Sequence, residues 1–228
     1  MMKKTLTMLI TAIAITSLVA CGNSNKENEA QTKNETDVVE KANIIEKKFI
    51  GQGEWANDYT KEEVLTLNDE IMVKVEELAN FYGLEYLKEE GVEEIDGEII
   101  NENSIYTDNL NPEPNRLESM KYGLWMYGAD ASSGSLNLKI GFKLDLKQIK
   151  TEEKFDFGEI SIAEFSKAMT NDDERDYSEL NEEIKDIVIN KNADGTIETN
   201  LNGLVETITV KDDFLLYKLD SKKYDFKK

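Results

Sequence analysis

The chain has 228 residues, with 27 Lys and Arg against 47 Asp and Glu, and its formal net charge at pH 7 is −20. Such a chain repels nucleic acid and anionic lipid, because both are bound through Lys and Arg. It contains no His and one Cys. This excludes catalytic groups of the Ser-His-Asp and Cys-His kinds, the commonest zinc ligand and a disulfide bond within the chain.

The first segment has the layout of an export signal. Lys3 and Lys4 precede an apolar stretch, residues 6–20, which is interrupted only by Thr and Ser and ends in Leu-Val-Ala before Cys21. An ordinary secretory signal with an incidental Cys, or an uncleaved membrane helix, has a similar layout. The stretch is short, however, for a membrane span of about 20 residues.

The tetrapeptide 18–21 resembles the lipobox of bacterial lipoproteins, in which Leu, a small or aliphatic residue, and Ala or Gly precede Cys. The resemblance covers residues 1–21 only. It implies that Cys21 receives a diacylglycerol, that the signal is removed just before it, and that lipid anchors the protein to the extracytoplasmic face of the bacterial cell membrane. Two or more acyl chains would make that attachment stable.

Composition divides the chain into three segments. Residues 1–20 are the predicted signal, residues 21–43 are the lipidated Cys with a polar, flexible tether, and residues 44–228 are long enough for one acidic globular domain. Loss of the signal removes two lysines and no acid, which leaves 25 basic and 47 acidic residues and a net charge of −22.

The clearest predicted helix follows a short predicted strand at residues 44–50. The helix begins with a capping box, Thr60 and Glu63, and stops at Gly83. Apolar residues recur along it at spacings of three and four, which places them on one face. They are Val64, Leu67, Ile71, Val75, Leu78 and Tyr82.

Two further helices are predicted in the second half of the chain. A second capping box, Ser161 and Glu164, opens a short helix that runs to Met169. A solvated acidic loop, residues 171–176, leads to the third helix, whose apolar residues share one face. They are Leu180, Ile184, Ile187 and Val188.

The strongest predicted strand is residues 136–146, where apolar and polar residues alternate strictly. Its partner is residues 122–127, joined to it through a hairpin loop of small residues at 128–134. Three more strands are predicted near the end of the chain, at residues 196–201, 204–210 and 214–219.

Residues 84–121 are rich in Glu and read as short strands or turns, with Gly91 and Gly97 as breaks. Runs of strands beside separate helices, without regular alternation of strand and helix, indicate an α+β fold. We therefore predict a single domain in which helices pack on an antiparallel sheet.

Residues 190–201 look like part of an EF-hand calcium loop, with oxygen-bearing side chains at alternate positions and Gly195 sixth. Asn190 stands at position one in place of Asp, and Leu201 stands at position twelve, where a bidentate Glu belongs. A turn from the third helix into a strand, with Asp194 and Gly195 at its tip, accounts for the same residues. We expect neither a bound metal nor a cofactor.

Trp125 and Tyr127 are the candidate ligand-binding residues, since they lie two apart in a predicted strand and share a face, with Tyr122 on the other. On the solvent side they would form an aromatic platform for a sugar or a peptide. Beneath a helix they would cover the core, and the usual burial of large aromatic side chains favours that interpretation.

The function predicted from these features is that of a membrane-anchored extracytoplasmic lipoprotein that binds without catalysis. It would present an acidic domain to a basic protein or cell-wall partner, with no nucleic acid involved. Two alternatives stay open: a small-solute-binding lipoprotein, and a hydrolase of the cell envelope that uses paired carboxylates. No sequence feature selects such a pair among the 47 acidic residues.

Overall fold

The computed structural model describes residues 59–228. The predicted signal, Cys21, the tether and the strand predicted at residues 44–50 lie outside the described residues. None of the helices within residues 59–228 has the length and hydropathy of a membrane span.

Four α-helices, eight β-strands and one 3-10 turn follow one another along the described part of the chain. In chain order they are α1 (Lys61–Phe81), β1 (Leu87–Ile95), β2 (Glu98–Asp108), β3 (Arg116–Tyr127), β4 (Ser133–Lys143), α2 (Leu146–Glu152), the 3-10 turn (Phe157–Glu159), α3 (Ser161–Thr170), α4 (Ser178–Asn190), β5 (Asp194–Leu201), β6 (Leu204–Lys211), β7 (Phe214–Asp220) and β8 (Tyr224–Asp225).

The strands form one sheet in the order β1-β2-β3-β4-β7-β6-β5, and the short β8 pairs with the start of β4. Every pairing in it is antiparallel. The predicted α+β fold with an antiparallel sheet and packed helices is therefore confirmed.

The helices pack on one face of the sheet, and β4 shows why. Its alternating apolar residues are fully buried at 0% exposure: Leu136, Leu138, Ile140 and Phe142. They join buried residues of α1, α3 and α4 in one hydrophobic cluster. Lys139, which points to the other face, is exposed. The apolar and polar faces of this strand are those that the alternation predicts.

The predicted hairpin of β3 and β4 is confirmed, with Leu124 opposite Leu136 and Tyr122 opposite Leu138. The prediction that β4 continues to residue 146 is wrong. The carboxylate of Asp145 accepts a hydrogen bond from the amide of Gln148 (2.9 Å) and caps α2, which begins at Leu146, three positions after the strand ends.

The capping box at the start of α1 is confirmed, since the Thr60 amide donates to Glu63 Oε2 (2.7 Å) and the Glu63 amide donates to Thr60 Oγ1 (3.3 Å). The buried face of α1 also contains a polar residue that the apolar pattern does not indicate. Asn68 is fully buried, and its Oδ1 accepts a hydrogen bond from the hydroxyl of Tyr122 (3.1 Å).

The prediction of a second capping box at Ser161 and Glu164 is wrong, although a helix does form there. Ile160 caps α3 without a side-chain hydrogen bond, and Ser161 is already the first helical residue. Glu164 instead forms an ion pair with Lys167 (2.9 Å). The predicted third helix is confirmed as α4, and the four apolar residues predicted to share its face are its buried residues.

The Glu-rich stretch folds as two long strands, β1 and β2, and not as short strands or turns. A two-residue turn, Asp96 and Gly97 at φ values of 52° and 83°, joins them, and Ile95 pairs with Glu98 across it. An Asp-Gly pair is the usual sequence of such a turn, because both of its central residues need positive φ. Gly91 does not break the strand and pairs with Glu102.

Candidate functional site

The β1–β2 hairpin carries the most one-sided charge in the described part of the chain. All nine residues of β1 are exposed. Residues 85–102 contain one basic residue, Lys88, which forms an ion pair with Glu76 of α1. They contain eight acidic residues: Glu85, Glu89, Glu90, Glu93, Glu94, Asp96, Glu98 and Glu102.

Two lysines from other parts of the chain, Lys121 of β3 and Lys223 just before β8, neutralise only part of this charge. Lys121 lies 2.7 Å from Glu102 and 3.9 Å from Glu89, and Lys223 pairs with Glu98. Burial acts to raise the pKa of Glu102, but hydrogen bonds from Lys121 and Ser104 outweigh it and lower that pKa. Glu102 is therefore held as a carboxylate at neutral pH.

Three acids of β1 have no such partner. No Lys or Arg within residues 59–228 forms an ion pair with Glu90, Glu93 or Glu94. Because these carboxylates are exposed at the edge of the sheet, their field reaches into solvent and is screened only by salt.

We define the acidic hairpin as residues 87–108, the two strands and their turn.

A cleft of about 1010 Å³ adjoins the acidic hairpin. The end of α1, the loop between β2 and β3, and the segment from α2 to α3 line it. Its lining includes the two most exposed large apolar side chains of the described residues, Leu110 at 87% and Phe81 at 79%. Its charged lining residues are Glu85, Asp108, Asp156, Glu159, Arg116 and Lys154. Clefts of this size hold small ligands in many proteins.

Trp125 and Tyr127 share a face, as predicted, and Tyr122 lies on the opposite, buried face. The interpretation that a helix covers the two rings is wrong for the described residues, since helices α1 to α4 pack on the face that holds Tyr122. The reason is that the alternation of β3 places its apolar residues, and not its aromatic pair, toward the helices.

Each of these two rings already has a lysine against it. The ammonium of Lys121 lies 5.6 Å from the centre of the Trp125 ring, and that of Lys223 lies 4.3 Å from the centre of the Tyr127 ring. Trp125 also packs over Gly123, where a Cβ would approach the ring to 2.8 Å. A sugar or peptide that stacked here would have to displace the lysines.

The same helix-free face carries a row of lysines. The register places Lys121 opposite Lys139 and Lys139 opposite Lys218, on three neighbouring strands. A basic partner is repelled from the middle of this face, because the positive charges of the three lysines oppose its own. The acidic hairpin, at the edge of the same sheet, offers such a partner exposed carboxylates instead.

A buried ion pair lies on the opposite face, and no sequence motif predicts it. Glu206 is 1% exposed, and both of its oxygens accept hydrogen bonds from Arg175, at 2.7 and 2.8 Å. Tyr217 Oη donates to Glu206 Oε1 at 2.9 Å, and Thr199 Oγ1 donates to Oε2 at 2.8 Å. Burial raises the pKa of Tyr217 well above its ordinary value.

The predicted solvated loop at residues 171–176 is exposed at four of its six residues, and Arg175 is the main departure from that prediction. Arg175 is only 14% exposed, and it lies 4.8 Å from the centre of the Tyr177 ring. Because the guanidinium closes over Glu206, substrate cannot reach that carboxylate. The pair fastens the loop to the sheet and is a structural group.

The EF-hand-like stretch folds as the connection between α4 and β5. Asn192 and Ala193 have φ values of 55°, and Asp194 begins β5 and pairs with Lys211. The tip of the turn is therefore two residues earlier than predicted. Within residues 59–228, no three Asp or Glu side chains converge as a set of metal ligands.

Comparison of the chain with protein-family models, with curated proteins and with solved structures finds no match. The acidic hairpin and the adjoining cleft are thus assigned from their own geometry and charge.

Proposed function

We propose that the protein is a lipid-anchored, non-catalytic binding protein that recognises a basic partner at the outer face of the cell membrane. The acidic hairpin carries the proposal. Its residues 87–108 include eight acids and one base, and all of β1 is exposed, while lysines occupy the middle of the adjoining helix-free face. The lipobox resemblance at Cys21 supports the membrane anchor.

The net charge of the whole protein also supports this function, because electrostatic attraction acts over long range. A protein with a net charge of −22 attracts a cationic partner before the two surfaces touch. This attraction increases the rate at which the two proteins meet. The screening length is about 10 Å at 0.1 M salt and about 3 Å at 1 M. Binding to a basic partner should therefore be fastest at low ionic strength.

Charge variants of the full chain test whether the hairpin, and not net charge alone, attracts the partner. The hairpin variant replaces Glu89, Glu90, Glu93 and Glu94 by Gln. We expect its association rate with an oligolysine peptide at low salt to fall about tenfold, because rim charges act mainly on the association rate. The rates of all proteins should converge at high salt.

The matched control removes the same charge from exposed positions on α1, the loop before α4, and α4 itself. It replaces Glu70, Glu77, Glu174 and Glu183 by Gln. We expect its association rate to fall no more than about threefold, since only the long-range field changes. Equal losses in the hairpin variant and the control would contradict a local recognition surface.

The cleft favours a second candidate function, the binding of a small solute. Two exposed apolar side chains at a cleft of about 1010 Å³ leave apolar surface in water that a ligand would cover. Retention of a solute by the wild-type protein, with loss of retention after Phe81→Asp, would favour this function. Oligolysine binding would be unchanged by that substitution.

A further inference from the structure

β1 is a terminal strand of the sheet, and its outer edge is open. Among residues 59–228, β2 is its only neighbour. It is nine residues long and exposed on both faces. An open edge presents unpaired backbone N–H and C=O groups to which another extended chain can bond. The bonding groups of β1 can be assigned from the register of the hairpin.

The carbonyl of Ile99 accepts a hydrogen bond from the amide of Gly128 (2.8 Å), on the β3 side of β2. Ile99 lies opposite Glu94. These two residues therefore do not bond to each other, and the N–H and C=O of Glu94 point to the open edge. The direction alternates along a strand, so four residues present their backbone groups outward: Lys88, Glu90, Val92 and Glu94.

The side chains beside this edge follow a repeating charge pattern. Two neighbouring acids, Glu89 and Glu90, are followed by two uncharged residues and then by Glu93 and Glu94. Successive side chains point to opposite faces, so each face of the edge carries two carboxylates. Opposite charges directly across two strands stabilise their pairing.

We infer that an extended basic segment of a partner protein adds to β1 as a ninth strand of the sheet. The inference rests on the proposed function and specifies its binding mode. The segment has two basic residues, two small or apolar residues, and two basic residues, which places ammonium or guanidinium groups beside the four carboxylates. Main-chain hydrogen bonds provide affinity in this mode, and the side chains provide specificity.

The same charges argue against a second copy of the chain as the occupant. An antiparallel pair of β1 strands would bring Glu side chains of one copy beside Glu side chains of the other. Like charges in that position are unfavourable, and natural edge strands use them to prevent self-association. A basic segment instead places opposite charges beside the Glu side chains of β1, which favours pairing.

The test measures binding of the peptide Thr-Lys-Lys-Val-Thr-Lys-Lys-Thr to the full chain, purified in detergent, together with hydrogen exchange of the β1 amides. We expect the peptide to slow exchange at Lys88, Glu90, Val92 and Glu94. The alternate amides of β1 already bond to β2 and should change little. A peptide of the same charge with N-methyl groups on alternate backbone amides should bind about tenfold more weakly or worse, since it cannot complete the strand.

A substitution in the protein removes one donor from the edge without changing its charge. Val92→Pro lacks the outward N–H, and proline is tolerated at the solvent edge of a terminal strand. We expect it to weaken peptide binding about tenfold, with an unchanged unfolding midpoint. The N-methylated peptide, used on the wild-type protein, gives the same information if this variant folds poorly.

The outcomes separate the binding mode from the proposed function. Two results together would refute strand addition: Val92→Pro binds the peptide as tightly as the wild-type protein does, and the wild-type protein binds the N-methylated peptide as tightly as the unmodified one. If the hairpin variant still binds the peptide more weakly, electrostatic recognition stands. If the hairpin variant binds the peptide like the wild type, the proposed function fails. Slow exchange of the four outward amides before peptide is added would show that the edge is already covered, and would overturn the inference.

Discussion

Replacement of Ile140 by Asp is expected to unfold the domain or to destabilise it by about 5 kcal/mol, which is comparable with the whole stability of many domains. Ile140 is fully buried in the centre of β4, between Met120 of β3 and Tyr217 of β7. A carboxylate there has no cationic partner and loses its hydration. Urea unfolding of the full chain, followed by circular dichroism, measures the loss.

Lys139→Asp, one residue earlier, is the control. It places a carboxylate on the helix-free face between Lys121 and Lys218, where the wild type has three lysines side by side. We expect a change in the free energy of unfolding of no more than about 1 kcal/mol, and it could be favourable. Equal destabilisation by Ile140→Asp and Lys139→Asp would refute the assignment of the two faces.

The second large effect concerns the buried ion pair. Arg175→Met leaves the carboxylate of Glu206 buried without its cation, and we expect a loss of about 3–5 kcal/mol in the free energy of unfolding. The double variant Arg175→Met with Glu206→Leu removes both charges. It should recover most of that loss, because hydrophobic residues often replace a buried ion pair at little cost.

A double-mutant cycle of urea unfolding midpoints measures the coupling between the two residues. Thr66→Ala, on the exposed side of α1, serves as a control for the effect of substitution in general. The cycle also includes Glu206→Leu alone. If the losses of Arg175→Met and Glu206→Leu simply add in the double variant, then Arg175 and Glu206 do not form the coupled pair that the hydrogen bonds indicate.

Periodic segments of the fold could be predicted from the sequence. Apolar residues alternate in β4 and recur at helical spacing in α1 and α4. Each pattern predicts one buried face, and each element has that buried face in the structure. Element ends were harder to predict. At Asp145 a side-chain cap starts a helix while the apolar alternation still continues to Leu146.

The acidic hairpin shows a different limit. β1 is exposed on both faces over its whole length, and only two residues of β2 are exposed while three are buried, so no regular apolar alternation marks these strands in the sequence. The Asp96-Gly97 pair was the available signal, because this dipeptide is typical of a two-residue hairpin turn. The concentration of acids was visible in the sequence, but their position at an open sheet edge depends on strand order.

The buried ion pair and the cleft depend on contacts between distant parts of the chain. Arg175 and Glu206 lie 31 residues apart, in a loop and a strand. A Glu at an inward position of β6 breaks the expected alternation of that strand, and this irregularity was the only local sign of the pair. The cleft lies among three separate segments, and no single stretch of sequence contains its shape.

The most direct test of lipid-anchored, non-catalytic binding follows a labelled oligolysine peptide on washed cell membranes. Membranes from cells that produce the full chain should retain the peptide at low salt and release it intact at high salt. Membranes from cells that produce Cys21→Ser should retain only the background amount, because the unlipidated protein is lost from them. Equal retention by both kinds of membrane, or recovery of the peptide in a chemically altered form, would contradict this function.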